Sequence, residues 1–153
     1  VRGLRGRGVH VGIGCDGSPC NNFLDPMGEI RLAALLQKWK HGPAAFSARE
    51  ALEMATRGGA EALGALDEIG SLEKGKRADF VVLNLEAIHS LMAPEVDPYT
   101  RVVFGADRTN VETVYVGGQP IYDRGRFPGF ETARVLARAG EELGALLRRH
   151  EMG

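Results

Sequence analysis

The amino-acid sequence reads as an α/β chain. Three features carry that reading: an apolar, strand-like run at residues 9–15 that ends on an aspartate, helical spacing from there to about residue 66, and β-prone runs with tight turns beyond it. In the first, Val9, Val11, Ile13 and Cys15 share one face of a strand, because side chains alternate along it, while His10, Gly12, Gly14 and Asp16 share the other. At the carboxyl end of a parallel barrel strand an acid points into the mouth where chemistry is done. Gly12 and Gly14 leave room beneath it. Asp16 is therefore the first candidate for a functional residue.

The remaining elements follow in order. Leu4 and Val9 suit the last turn of a helix that runs through Gly8 into the strand. After the loop Ser18-Pro19-Cys20-Asn21-Asn22, Asp25-Pro26 pairs an N-cap residue with proline at the first helical position. Met27, Ile30, Ala34 and Leu35 keep helical spacing to about Lys40, and His41-Gly42-Pro43 stops the helix. Ser47-Ala48-Arg49-Glu50 has the form of a capping box and opens a second helix, Ala48 to Arg57. Gly58-Gly59 is expected to break it, leaving one further turn, Ala60 to Leu63.

From Asp67 the texture changes. Ile69 to Lys76 is turn-rich, and Ala78 to Leu85 is β-prone. Pro98 to Ala106 reads as a short helix. Val111–Val116 and Gln119–Tyr122 flank Gly117-Gly118, a pair that supplies the positive φ angles of a hairpin turn. Asp123 to Arg126 forms another turn. Thr132 to His150 is helical, with Leu136, Ala139, Leu143, Leu146 and Leu147 on one stripe. Gly140 and Gly144 each cost this helix roughly 1 kcal/mol relative to alanine, so packing is expected to hold it. The chain thus divides into a helical part at 1–66, a β part at 67–131 and a docking helix at 132–153.

At 153 residues, 44% of them hydrophobic and 25% charged, the chain has the make-up of a globular protein. A net charge of −1 gives no electrostatic reason to expect nucleic acid or an anionic membrane as partner. No apolar run approaches the roughly 20 residues of a membrane span, and the basic start lacks the apolar core of a secretory signal. Cys15 and Cys20 form no disulfide framework, so a reducing, cytoplasmic setting is the expectation. The start without methionine, entering a strand within a few residues, looks like a cut through a larger protein.

Several motifs fail on context. Gly12-Ile13-Gly14-Cys15-Asp16-Gly17 matches G-x-G-x-x-G, but no helix opens at its last glycine to hold a pyrophosphate. Cys15 and Cys20 lack the spacing and the partners of a zinc knuckle. His10, His41, His89 and His150 are scattered, and His10 lies about 20 Å of strand away from Asp16. Asp16 itself has a plain alternative, since an aspartate after a strand often caps a turn.

Gly8 to Asn22, with Asp16-Gly17 and Asn21-Asn22 inside it, and Glu29 to Lys38 after it, resemble the last barrel strand and following helix of the amidohydrolase superfamily. The resemblance continues through Glu50 to Thr56, Gly59 to Gly64, Ile69-Gly70-Ser71-Leu72-Glu73-Lys74-Gly75-Lys76-Arg77-Ala78-Asp79-Phe80-Val81-Val82-Leu83 and Val114 to Gln119. The branch it is most similar to contains adenosine-, S-adenosylhomocysteine-, guanine- and cytosine-type deaminases and triazine chlorohydrolases.

The resemblance implies the carboxyl-terminal remnant of a (β/α)₈ metal-dependent hydrolase barrel, beside part of a small β-sandwich. It implies one divalent metal, zinc with iron as the alternative, for which Asp16 is both ligand and proton carrier. The histidine ligands and the assisting glutamate of the family are absent from this sequence. The implied activity is hydrolytic deamination of a purine-type base or nucleoside. Triazine dechlorination is the alternative, and so is a non-catalytic interaction module should the gene begin near Val1. Ser18, Asn21 and Asn22 either shape the mouth beside the metal or form a turn, the reading favoured here. The partner is a small heterocyclic substrate, and a homo-oligomer stays open. These residues alone are expected to be inactive, to hold no catalytic zinc and to fold poorly by themselves.

Overall fold

The structure, a computed structural model, describes residues 2–18 and 20–151; Val1, Met152, Gly153 and Pro19, the last of these in the expected loop, lie outside the described residues. Helix α1, Arg2–Arg5, ends through Gly8, whose φ is +76°. The Gly8 N–H donates to the Arg5 carbonyl at 3.0 Å and the Val9 N–H to the Leu4 carbonyl at 3.2 Å. This is the paired closure that a left-handed glycine allows at a helix end.

Helix α2, Pro26–His41, starts where the sequence places it: the Asp25 carboxylate accepts from the Met27 N–H at 3.1 Å. It stops at Gly42, φ +94°. Helix α3, Ala48–Ala55, carries the expected capping box, with Glu50 N–H donating to Ser47 Oγ and Ser47 N–H to Glu50 Oε2.

Helix α4, Arg57–Ala62, departs from the sequence reading. The break falls at Thr56, and Gly58 and Gly59 lie inside the helix. Their small size serves a crossing instead of a break. A Cβ on Gly58 would lie 2.7 Å from the Val11 carbonyl oxygen, a distance only glycine can accommodate.

Ile30 and Ala34 of α2, Phe46 just before α3, Ala48, Ala51 and Met54 of α3, and Val103 form the buried core, with Val11, Ile13, Tyr99 and Phe104 packed against it. From Val11 on, the run at residues 9–15 shows the expected alternation: Val11, Ile13 and Cys15 are partly buried, and Gly12, Gly14 and Asp16 are exposed, whereas Val9, expected on the apolar face, is exposed like His10. The run is not a strand, which corrects the sequence reading. A strand is defined by its hydrogen-bonded ladder, and among the described residues no strand pairs with this segment.

The β part is an antiparallel sheet of three strands in the order β1-β2-β3, with β1 at Phe80–Leu83, β2 at Val111–Val116 and β3 at Gln119–Asp123. Gly117 and Gly118, at φ +56° and +78°, make the hairpin turn. Phe80 pairs with Tyr115 across the strands, and their rings stack at 4.5 Å. Between β1 and β2 lie the short helix α5, Pro98–Thr100, one π-helical turn at Arg101–Gly105 and one 3-10 turn at Arg108–Asn110.

Polar side chains tie this region together and to its neighbours. Arg31 of α2 donates to the carbonyls of Val103 and Ala106. Asn110, 1% exposed, donates to the Asn84 carbonyl and to Ser90 Oγ, and accepts from the Asp107 N–H. Helix α6, Thr132–Glu151, forms as expected, and Leu136, Leu143, Leu146 and Leu147 on its stripe are each more than half exposed. Among the described residues no helix is long and apolar enough to cross a membrane.

Candidate active site

Val11 and Ile13 anchor their segment to the helical core, which turns the opposite face outward and ends it on Asp16. Asp16 is exposed and adopts φ +58°, a left-handed conformation that aspartate tolerates better than most residues. Its Oδ1 accepts from the Gly17 N–H at 2.7 Å. Its Oδ2 has no hydrogen-bond partner among the described residues, which leaves one carboxylate oxygen available to a proton or a cation.

The loop beyond Asp16 is held by its own backbone and by α2. The Gly17 carbonyl accepts from the N–H groups of Cys20 and Asn21, each at 2.9 Å. Asn21 uses both ends of its amide: Oδ1 accepts from the Phe23 N–H at 3.1 Å and Nδ2 donates to Glu29 Oε1 at 2.6 Å. The loop closes at Leu24, φ +40°, just before the Asp25 cap. Ser18 and Asn22 are exposed, and neither has a side-chain hydrogen bond within the described residues. Asn21 thus forms the turn that the sequence favours for it.

His10 has a partner elsewhere: its Nδ1 lies 3.1 Å from Glu61 Oε1. Cys15 and Cys20 are free thiols. Burial, followed by the nearby Glu29 and Asp25 carboxylates, pushes the Cys15 thiol above its ordinary value, so it is a poor nucleophile. Glu29 is the residue that sequence reasoning passed over. Acids are common in the first turn of a helix because they complement its dipole, and the eight-residue separation from Asn21 follows no local motif.

A metal requires several donors. Among the described residues no group of three or more His, Cys, Asp or Glu could hold one, whereas structural and catalytic zinc sites use three or four protein ligands. Asp16, with its open oxygen at a segment end, fits the part of a single ligand.

Comparison with known proteins places these features in a family. The sequence profile described as "Amidohydrolase family" matches residues 1–121. A 5-methylthioadenosine/S-adenosylhomocysteine deaminase of Moorella thermoacetica is 39% identical over 144 residues, 94% of this chain and 33% of the relative. The chain therefore spans about a third of the length of the curated relatives it matches. Among solved structures, an adenosine deaminase from Xanthomonas campestris with bound zinc is similar at a TM-score of 0.83 and 36% identity, over 90% of this chain and 31% of that one. The atrazine chlorohydrolase of Arthrobacter aurescens complexed with zinc reaches a TM-score of 0.79 at 32% identity, over 92% of this chain and 31% of its own.

Proposed function

Because the chain belongs to the amidohydrolase family, we propose that the whole protein is a metal-dependent aminohydrolase that deaminates a purine-type nucleoside. The observation that carries this is the likeness to the methylthioadenosine/S-adenosylhomocysteine deaminase over 94% of the chain, a stretch that includes Asp16 and its loop. Residues 1–66 contribute the last strand and following helices of a barrel in this reading, in which 9–15 gains its ladder only against the rest of the whole protein. Residues 67–131 contribute part of a β-sandwich, and 132–153 pack on the barrel side.

Asp16 is the chain's own contribution to the chemistry. Hydrolytic deamination adds water to a ring carbon and expels the amino group as ammonia, so one proton must travel from the water to the leaving nitrogen. A carboxylate at the mouth with one oxygen pinned by the Gly17 N–H and the other open can take that proton and return it. The pinned oxygen fixes the orientation of the group. A divalent metal, zinc before iron, would be held in part by Asp16 and would make water acidic enough to react near neutral pH. Ser18 and Asn22 face solvent beside Asp16 and are the chain's candidates for substrate contact.

A second reading is triazine dechlorination, favoured by the likeness to the atrazine chlorohydrolase. There the same hydrolysis expels chloride in place of ammonia. Incubating the whole protein with S-adenosylhomocysteine, 5-methylthioadenosine and a chlorotriazine, with ammonia and chloride measured in parallel, separates the two. Ammonia from the nucleosides supports the deaminase; chloride without ammonia replaces it with the second reading.

A further inference from the structure

We infer that Glu29 is a positioning residue, which through its hydrogen bond from Asn21 fixes the loop that presents the Asp16 carboxylate. The inference rests on the assignment of Asp16 to the reaction and deepens it. The loop between Asp16 and Asp25 is bounded by two non-glycine residues of positive φ, Asp16 at +58° and Leu24 at +40°. Such conformations each cost of order 1–3 kcal/mol and persist only where the surroundings over-determine them. What over-determines them here is visible. The Gly17 carbonyl gathers two N–H groups, the Asn21 Oδ1 holds the Phe23 N–H, and the Asn21 Nδ2 reaches Glu29 Oε1 at 2.6 Å.

Only the last of these ties the loop to a regular element. Glu29 sits in the first turn of α2, the same turn that places Ile30 in the buried core. Asp16 therefore connects to the rigid part of the molecule on both sides: backward through Ile13 and Val11, forward through Asn21 and Glu29. The forward link is a part-buried hydrogen bond to a carboxylate, of the kind roughly twice as strong as a neutral one. Because Asn21 spends its carbonyl on Phe23 and its amide on Glu29, it acts as a two-way clamp. Both halves are needed to hold the turn.

Four variants of the whole protein test this: Glu29→Ala, Glu29→Gln, Asn21→Asp, and the pair Asn21→Asp with Glu29→Gln. Glu29→Ala is expected to lower kcat by about tenfold, the lower end for a supporting group of a metal ligand, with KM nearly unchanged. Amide exchange at residues 17, 18 and 20–23 quickens in parallel. Glu29→Gln keeps an acceptor for the Asn21 amide and stays close to wild type. Asn21→Asp sets two carboxylates against each other and falls further. Adding Glu29→Gln to it restores a donor–acceptor pair with reversed polarity and recovers most of the loss. The inference is overturned by unchanged kcat and exchange in Glu29→Ala, by equal damage from Gln and Ala, or by no recovery in the pair. A lowered melting temperature with kcat intact also overturns it, since Glu29 would then be merely structural. If the wild-type protein deaminates nothing, the functional reading fails, while the exchange measurements still decide the clamp.

Discussion

Gly12 and Gly59 lie so close that a Cβ on Gly12 would come within 3.0 Å of the Gly59 Cα. One residue along on each side the fit is tighter, with a Gly58 Cβ only 2.7 Å from the Val11 carbonyl oxygen. The segment that ends on Asp16 thus leans on α4 by backbone contact.

Gly58→Ala must therefore push the Asp16 segment or α4 aside. The expected destabilisation is about 1–3 kcal/mol, the usual range for an overpacked site, read by denaturant unfolding of the whole protein. Gly140→Ala in α6 is the contrast. Nothing lies within 4 Å of its Cβ, so it should gain about 1 kcal/mol from helix propensity alone. Equal effects from the two substitutions would remove the close crossing from the account.

Ser47→Ala removes the hydroxyl's two bonds with Glu50, to its backbone N–H and its carboxylate, and leaves the Ser47 N–H bond to Glu50 Oε2 in place. The cost should be near 1 kcal/mol. Since α3 supplies Ala48, Ala51 and Met54 to the core against which Val11 and Ile13 pack, the loss should appear as a lower unfolding midpoint. An unchanged midpoint would show that packing holds this helix end without its cap.

Asp107 gives stability a dependence on acid. The Thr109 hydroxyl, then the Thr109 N–H, hold its carboxyl below the usual carboxylate range, with His89 and Arg31 adding to this. A carboxyl depressed in the folded state contributes stability that is full above its unfolded value of about 4 and is lost as pH falls through the folded value. Asp107→Asn should therefore be less stable than wild type at neutral pH, and the difference should close on acidification below that value. A difference that persists or widens in acid contradicts the assignment.

The parts of this fold that sequence made legible are those governed by local rules. Asp25-Pro26, the Ser47–Glu50 box, Gly8 at the end of α1 and the Gly117-Gly118 turn each satisfy backbone groups within a few residues, and each appears where expected. What escaped depends on distant partners. A strand at residues 9–15 needs a ladder that the described residues do not provide. Gly58-Gly59 reads as a helix break until the Val11 carbonyl is seen beside it. The apolar stripe of α6 announces packing without naming what it packs on. At the candidate site, Asp16 stands out in the sequence from its place after an apolar alternation. Glu29 does not, because the Asn21 contact is made across a loop whose path spacing does not fix.

The central claim is that Asp16 carries the proton in a hydrolytic deamination, and Asp16→Asn in the whole protein tests it most directly. Asparagine keeps the size of the side chain and the acceptor for the Gly17 N–H but cannot take a proton from water. Ammonia release from S-adenosylhomocysteine or 5-methylthioadenosine should fall by about 10²–10⁴-fold, the range for loss of a general acid–base group, with the unfolding midpoint little changed. A variant that binds metal as the wild type does and deaminates at the wild-type rate would contradict the account.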